Sequence, residues 1–139
     1  MFGPAGYLYV DFTYGMHYCC NVVTGPEGYG SAVLIRALEP LAGKPVMRRN
    51  RHSLTGQTLT NGPAKLCEAL AIDGRHNGMP LQRPPLLIRA GTPVADRDVI
   101  VTPRIGIRHA ADWPLRFAVA GDPFVSRTPP AFPRHSYTR

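Results

Sequence analysis

A chain of 139 residues, 44% of them hydrophobic, suits one domain with a modest core and is too apolar for a disordered segment. Its formal net charge is +7, and Lys44 and Lys65 are the only lysines among sixteen Lys and Arg. Arginine's rigid fork of donors suits phosphates and base edges better than a membrane surface. The basic residues are scattered, however, and an Arg-rich surface from a high-GC genome would look the same, so charge alone leaves nucleic-acid binding open. No apolar run approaches the ~20 residues of a membrane helix. The start, Met1 to Gly6, lacks the basic and apolar stretches of a signal peptide, so a cytoplasmic protein without membrane association is expected. The three cysteines, Cys19, Cys20 and Cys67, are odd in number and two are adjacent, which favours reduced, packed thiols. His17-x-Cys19-Cys20 is not a zinc spacing, and no metal site is expected.

In chain order, the first element runs from Tyr7 to Thr13. Leu8, Val10 and Phe12 alternate with Tyr7, Tyr9, Asp11 and Thr13, the pattern of a half-buried strand. Asp11 therefore faces away from the core side. Tyr14-Gly15-Met16 breaks the alternation, and Gly15 permits a turn. A second strand follows over His17 to Val23, then a turn at Gly25-Pro26-Glu27-Gly28, then a third strand over Ser31 to Ala37. Three adjacent strands with short connections predict an antiparallel meander. A helix around Met47 would have little apolar face, because Arg48, Arg49 and Arg51 occupy it. His52 to Thr60 reads as a polar loop. Asn61-Gly62-Pro63 is a helix start, with Pro63 in the first turn and Asn61 or Gly62 as the cap. Leu66, Ala69, Leu70 and Ile72 form its apolar stripe, and Gly74 ends it. Leu86 to Ala90, Val99 to Thr102 and Phe117 to Ala120 read as short strands. The expected fold is α+β: one domain over residues 1–126 with a curved, mainly antiparallel sheet and a protruding hairpin, followed by a flexible tail over 127–139 rich in Pro, Arg and Ser.

An aromatic at a hairpin tip on a basic protein can wedge between base pairs, although a turn tyrosine lying over its own hairpin is the commoner arrangement. The surrounding motifs bear on that choice. Leu8-Tyr9-Val10, Tyr14-Gly15-Met16 and Asn21-Val22-Val23 resemble the wedge hairpin of the alkyladenine (3-methyladenine) DNA glycosylases. Residues 32–41, Ala-Val-Leu-Ile-Arg-Ala-Leu-Glu-Pro-Leu, resemble their next strand, and residues 61–67, Asn-Gly-Pro-Ala-Lys-Leu-Cys, a helix start of theirs. Arg104 to Ile107, Pro114 to Phe117 and Pro123 to Ser126 resemble their C-terminal strands. The motifs are colinear and span nearly the whole chain.

The resemblance implies roles. Tyr14 falls on the tyrosine that enters the minor groove in place of a flipped nucleotide, with Met16 and Leu34 against the neighbouring bases. Asn21 falls on an asparagine of the base pocket. Arg36 falls on an arginine that helps hold the attacking water, and Ile105 on an aliphatic residue whose carbonyl touches that water. Lys65 matches a lysine near phosphate at a helix start, and His17, beside the wedge, is a phosphate candidate. Each has a plainer reading: Arg36 paired with Glu39, Asn21 satisfying backbone, Lys65 solvated. His52, His76 and His135 read as solvated loop residues, His109 has no evident partner, and Trp113 reads as a core anchor.

Two departures stand out. The family's Glu-Ala-Tyr segment, with its general base and a stacking tyrosine, has no counterpart here, because Met1 aligns with an internal methionine of the family. Asp11 stands where a second stacking aromatic is common, at the base pocket. The resemblance implies hydrolysis of the N-glycosidic bond of alkylated or deaminated purines after base flipping. It implies a monomer acting on duplex DNA of a bacterial-type nucleoid, with no metal or organic cofactor. With the general base not present in this chain, little activity is expected of these 139 residues, and a catalytically inactive DNA-binding fragment is the alternative. A third reading is a general nucleic-acid-binding β-rich domain. Phosphate contacts are expected from dispersed Arg residues and Lys65 rather than from one basic helix.

Overall fold

The computed structural model describes residues 1–106 and 108–126. The chain forms two compact units, Met1–Gly91 and Thr92–Arg139. The expected tail over 127–139, with His135, lies outside the described residues, as does Ile107.

In the first unit the strands β1 (Leu8–Thr13), β2 (His17–Val23) and β3 (Ala32–Leu34) form an antiparallel sheet in that order. Leu8 pairs with Val22, Val10 with Cys20 and Thr13 with His17, which leaves Tyr14-Gly15-Met16 as the connecting turn. The α-helices are α1 (Lys44–Asn50) and α2 (Pro63–Ala69). Strands β4 (Gln82–Arg83) and β5 (Leu86–Leu87) make a small hairpin. The α+β class and the antiparallel meander are as the sequence implies.

The alternation in β1 and β2 puts Leu8, Val10 and Cys20 on one face, where they join Leu66 and Cys67 of α2, Ile72 and Leu81 in the buried core. Thus α2 covers one face of the sheet. The outer edge of β1 is occupied as well: Leu8 donates to Met79 O at 2.8 Å, Gly78 donates to Leu8 O at 2.8 Å, and Val10 donates to Asn77 Oδ1 at 3.0 Å. Such pairing removes the open edge that would otherwise template aggregation.

Several boundaries differ from the sequence expectation. Strand β3 ends at Leu34 rather than Ala37. One further ladder bond, Ile35 N–H to Cys20 O at 3.1 Å, extends the pairing, and then Leu38 N–H donates to Thr60 O at 3.3 Å. The chain leaves the sheet to meet residues 59–60, so Arg36 lies past the strand. Those residues correct the expectation of a polar loop over His52 to Thr60: Gly56–Leu59 is a 3₁₀ turn, and Leu59 and Thr60 are buried.

Helix α2 ends at Ala69, before Gly74. Ala71 takes a left-handed φ of 54°, its N–H donates to Glu68 O at 3.1 Å, and Ile72 N–H reaches Cys67 O at 2.8 Å. That is a Schellman closure with alanine in the position glycine usually holds, and the burial of Ile72 sets it. Consequently Leu70 is exposed, while Leu66, Ala69 and Ile72 keep the expected stripe buried. Helix α1 buries nothing, as its arginines suggest. It is held to α2 by Asn50 Nδ2 donating to Ala69 O at 3.0 Å and by an Arg51–Glu68 ion pair.

In the second unit β6 (Val99–Thr102) pairs antiparallel with β7 (Arg116–Val119). Arg116 is buried, and donates to Thr102 Oγ1 at 3.2 Å and to Ser126 O at 2.9 Å. Trp113 is 59% exposed, which overturns its reading as a core anchor. It sits in a turn, its N–H donating to Ala110 O at 3.2 Å, where the chain does not press it inward.

Candidate nucleic-acid interface

Directly opposed residues in an antiparallel pair share a face. The pairs Tyr9–Asn21, Asp11–Cys19 and Thr13–His17 therefore line the sheet face opposite the α2 core, and the pair Asn21–Leu34 adds Leu34. Arg36 lies two residues beyond the end of β3, after the last bond of the ladder. This open face is bare toward the hairpin tip, where Asp11 and His17 are exposed, and closed at its base, where Val23 is buried. Asp11, His17, Asn21 and Leu34, nominated separately by the sequence, thus share one surface.

At the tip Tyr14 has φ 55° and is 80% exposed. Gly15 beside it has φ 66°, and Met16 is exposed, its N–H donating to Thr13 O at 3.2 Å. A left-handed conformation costs an L-residue ~1–2 kcal/mol. Gly15 takes it freely, but Tyr14 does so while presenting a large aromatic ring to solvent. Positive φ at both residues, closed by the Met16 N–H to Thr13 O bond, is what a tight hairpin turn favours, so the feature that serves no packing is the bare Tyr14 ring.

On the open face the Asp11 carboxylate accepts from Tyr9 Oη at 3.3 Å and from Thr13 Oγ1 at 3.0 Å. Tyr9 and Thr13 were not singled out from sequence as partners of Asp11, although their i±2 spacing in a strand was the available signal. Partial burial, then the Asp11 charge and its hydrogen bond, push the Tyr9 phenol above its usual range. Asn21 Nδ2 donates to Tyr9 O at 3.2 Å, which fixes the amide plane. That satisfies backbone, as the plainer reading had it, and the Oδ1 end makes no hydrogen bond among the described residues.

The remaining candidates stand elsewhere. Lys65 is on α2, with its Nζ donating to Asn61 Oδ1 at 2.8 Å. It therefore belongs to the layer on the opposite side of the sheet. Among the described residues Arg36 makes no ion pair, with Glu39 or any other acid. Ile105 belongs to the second unit. His76 does not stand free: its Nδ1 lies 3.2 Å from Asp73 Oδ1, within a capping box that starts the 3₁₀ turn Gly74–His76. Hydrogen bonds from the Arg75 side chain and backbone hold the Asp73 carboxyl well below the usual carboxylate range. Cys20 and Cys67 are free and buried, and Cys19 is half-buried. A thiol hydrogen bond with Cys20, with burial second, pushes the Cys67 thiol up. Among the described residues no cluster of three or more His, Cys, Asp or Glu could hold a metal ion, and no helix is long and apolar enough to cross a membrane.

Comparison with known proteins gives these residues a family. Residues 1–123 match the methylpurine-DNA glycosylase (MPG) family. A protein of Carboxydothermus hydrogenoformans named "Putative 3-methyladenine DNA glycosylase" is 50% identical over 128 residues, covering 91% of this chain and 67% of the relative. A protein of the same name from Rhodopseudomonas palustris strain HaA2 is 50% identical over 128 residues, covering 91% of this chain and 62% of the relative. A third, from Nitrosospira multiformis, is 46% identical, covering 91% and 65%. The chain spans about two thirds of the length of these curated relatives. The colinear motifs around the exposed hairpin are the family's, and the chain belongs to the methylpurine-DNA glycosylases.

Proposed function

We propose that this chain binds duplex DNA, extrudes a damaged purine and holds it on the open face of the hairpin, for hydrolysis of the N-glycosidic bond in 3-methyladenine-type base-excision repair. The observation that carries the reading is Tyr14: a strained, solvent-exposed aromatic at the tip of a hairpin whose base is fixed in the core. The hairpin turn calls for that backbone, but glycine would supply it at less cost, so a bare tyrosine there suits a role outside folding. Tyr14 fills the gap left by the extruded nucleotide, and Met16 and Leu34 abut the neighbouring bases. Asn21 and Asp11 meet the flipped base, and His17, Lys65 and dispersed arginines contact phosphates.

In the reaction water attacks the deoxyribose C1′, the bond from C1′ to the purine nitrogen breaks, and its electron pair leaves with the base. An N-alkylated purine is cationic and departs neutral, so the protein's tasks are extrusion, positioning and removal of a proton from water. By resemblance Arg36 and the Ile105 carbonyl hold that water. Acting on nucleoid DNA as a monomer in the cytoplasm belongs to the same reading.

A second reading, DNA binding without catalysis, is favoured by one observation. Asp11 is the only acid in strands β1, β2 and β3, and it is tied to the hairpin's own hydroxyls. The test of the shared part is affinity for duplexes with and without an abasic site across a salt series. Abasic duplex should bind more tightly, and log affinity should fall against log salt with a slope of about −0.9 per phosphate contact, summed over several contacts. Salt-insensitive binding, or equal affinity for both duplexes, would overturn it. Release of free 3-methyladenine from alkylated duplex then separates the catalytic reading from the purely binding one.

A further inference from the structure

The open face holds one acid, and that acid is already in position. Asp11 lies across from Cys19 and one pair along from Tyr9–Asn21, so its carboxylate and the Asn21 amide are diagonal neighbours, roughly 7–8 Å apart at the backbone. Both of its oxygens are engaged, one by the Tyr9 phenol at 3.3 Å and one by the Thr13 hydroxyl at 3.0 Å. These donors are neutral, and they orient the carboxylate without cancelling its charge. Among the described residues no Lys, Arg or His forms an ion pair with it. The strand could have carried an uncharged residue here at no cost to the core, because Asp11 is exposed and its neighbours Val10 and Cys20 supply the burial.

Resting on the base-holding role proposed above for this face, we infer that Asp11 is a specificity-determining residue: it makes the site prefer cationic N-alkylated purines over neutral deaminated ones. A cationic purine within about 4 Å of the carboxylate gains roughly fivefold in affinity even in a water-like dielectric, and more once the base displaces water. A neutral purine gains nothing from the charge and still strips water from it.

The test is equilibrium binding of the whole chain to four duplexes. One carries a 2′-fluoro-stabilised 7-methylguanine, whose glycosidic bond resists cleavage, one a hypoxanthine, one a tetrahydrofuran abasic site, and one no lesion. The proteins are wild type, Asp11→Asn, which keeps size and acceptor while removing the charge, and Asp11→Glu, which keeps the charge. Wild type should favour 7-methylguanine over hypoxanthine by about fivefold or more. Asp11→Asn should abolish that ratio and leave the abasic-to-intact ratio unchanged, and Asp11→Glu should retain part of the cationic preference. A cationic preference that survives in Asp11→Asn, or that is missing from wild type while abasic preference persists, would sink the inference alone. Loss of abasic preference in wild type would sink the base-holding reading beneath it, and the inference with it.

Discussion

The base and the tip of the β1–β2 hairpin share one alternating pattern and have opposite fates. At the base Leu8, Val10 and Cys20 are buried against Leu66 and Cys67. At the tip Phe12 continues the same apolar row yet is 54% exposed, in tilted contact with Tyr18 at a ring-centroid distance of 4.9 Å. Beyond it Tyr14 and Met16 are bare. The covering layer of α2, Ile72 and Leu81 buries the Val10–Cys20 pair, Tyr18 packs against its edge, and Phe12 is left half bare. A hairpin with a fixed root and an uncovered tip can hold an aromatic wedge in a defined direction, because the root supplies rigidity that an isolated hairpin lacks.

That division of labour can be broken at either end. The largest effect is expected at the root: Leu66→Ala should cost ~2–5 kcal/mol of stability, measured by urea unfolding, because Leu66 is fully buried beneath the sheet. The protein that remains folded should bind abasic and intact duplex in the wild-type ratio. A changed ratio would show that root packing and wedge action are not separable.

A smaller effect of opposite kind is expected at the tip. Tyr14→Ala should leave the unfolding midpoint nearly unchanged and weaken binding to abasic duplex by ~1–3 kcal/mol, the usual worth of a stacked base, with little effect on intact duplex. Equal weakening on both duplexes would reduce Tyr14 to a turn residue.

The smallest effect sharpens the strain argument. Tyr14→Gly should lose the same abasic preference and yet be more stable by about 0.5–1 kcal/mol. Glycine takes the left-handed conformation without the alanine-like penalty, which outweighs its greater freedom in the unfolded chain. A drop in the urea midpoint instead would mean that the Tyr14 side chain packs and that its conformation is structural.

The two cysteines illustrate how legibility ran out. Nothing in residues 19–20 distinguishes Cys19 from Cys20, and only the register decides that Cys20 meets Cys67 in the core while Cys19 shares the open face with Asp11. The end of α2 is similar. Gly74 was the obvious stop by composition, but burial of Ile72 closed the helix earlier through a left-handed Ala71. A local propensity for glycine at that position yields when an apolar side chain two residues past the helix is drawn into the core. Trp113 went the other way, since apolar character predicts burial only where another layer is present to cover it.

What the sequence determined by itself was the order of the first three strands, the face on which each residue of β1 lies, and the family motifs, because period-two alternation and turn residues are local properties that a short segment carries alone. What only the tertiary structure decided was where burial stops along the hairpin, which hydroxyls hold Asp11, and that Lys65 and the open-face residues lie on opposite sides of the sheet. These depend on how far α2 reaches and on which strands pair, contacts between segments tens of residues apart that no local pattern encodes.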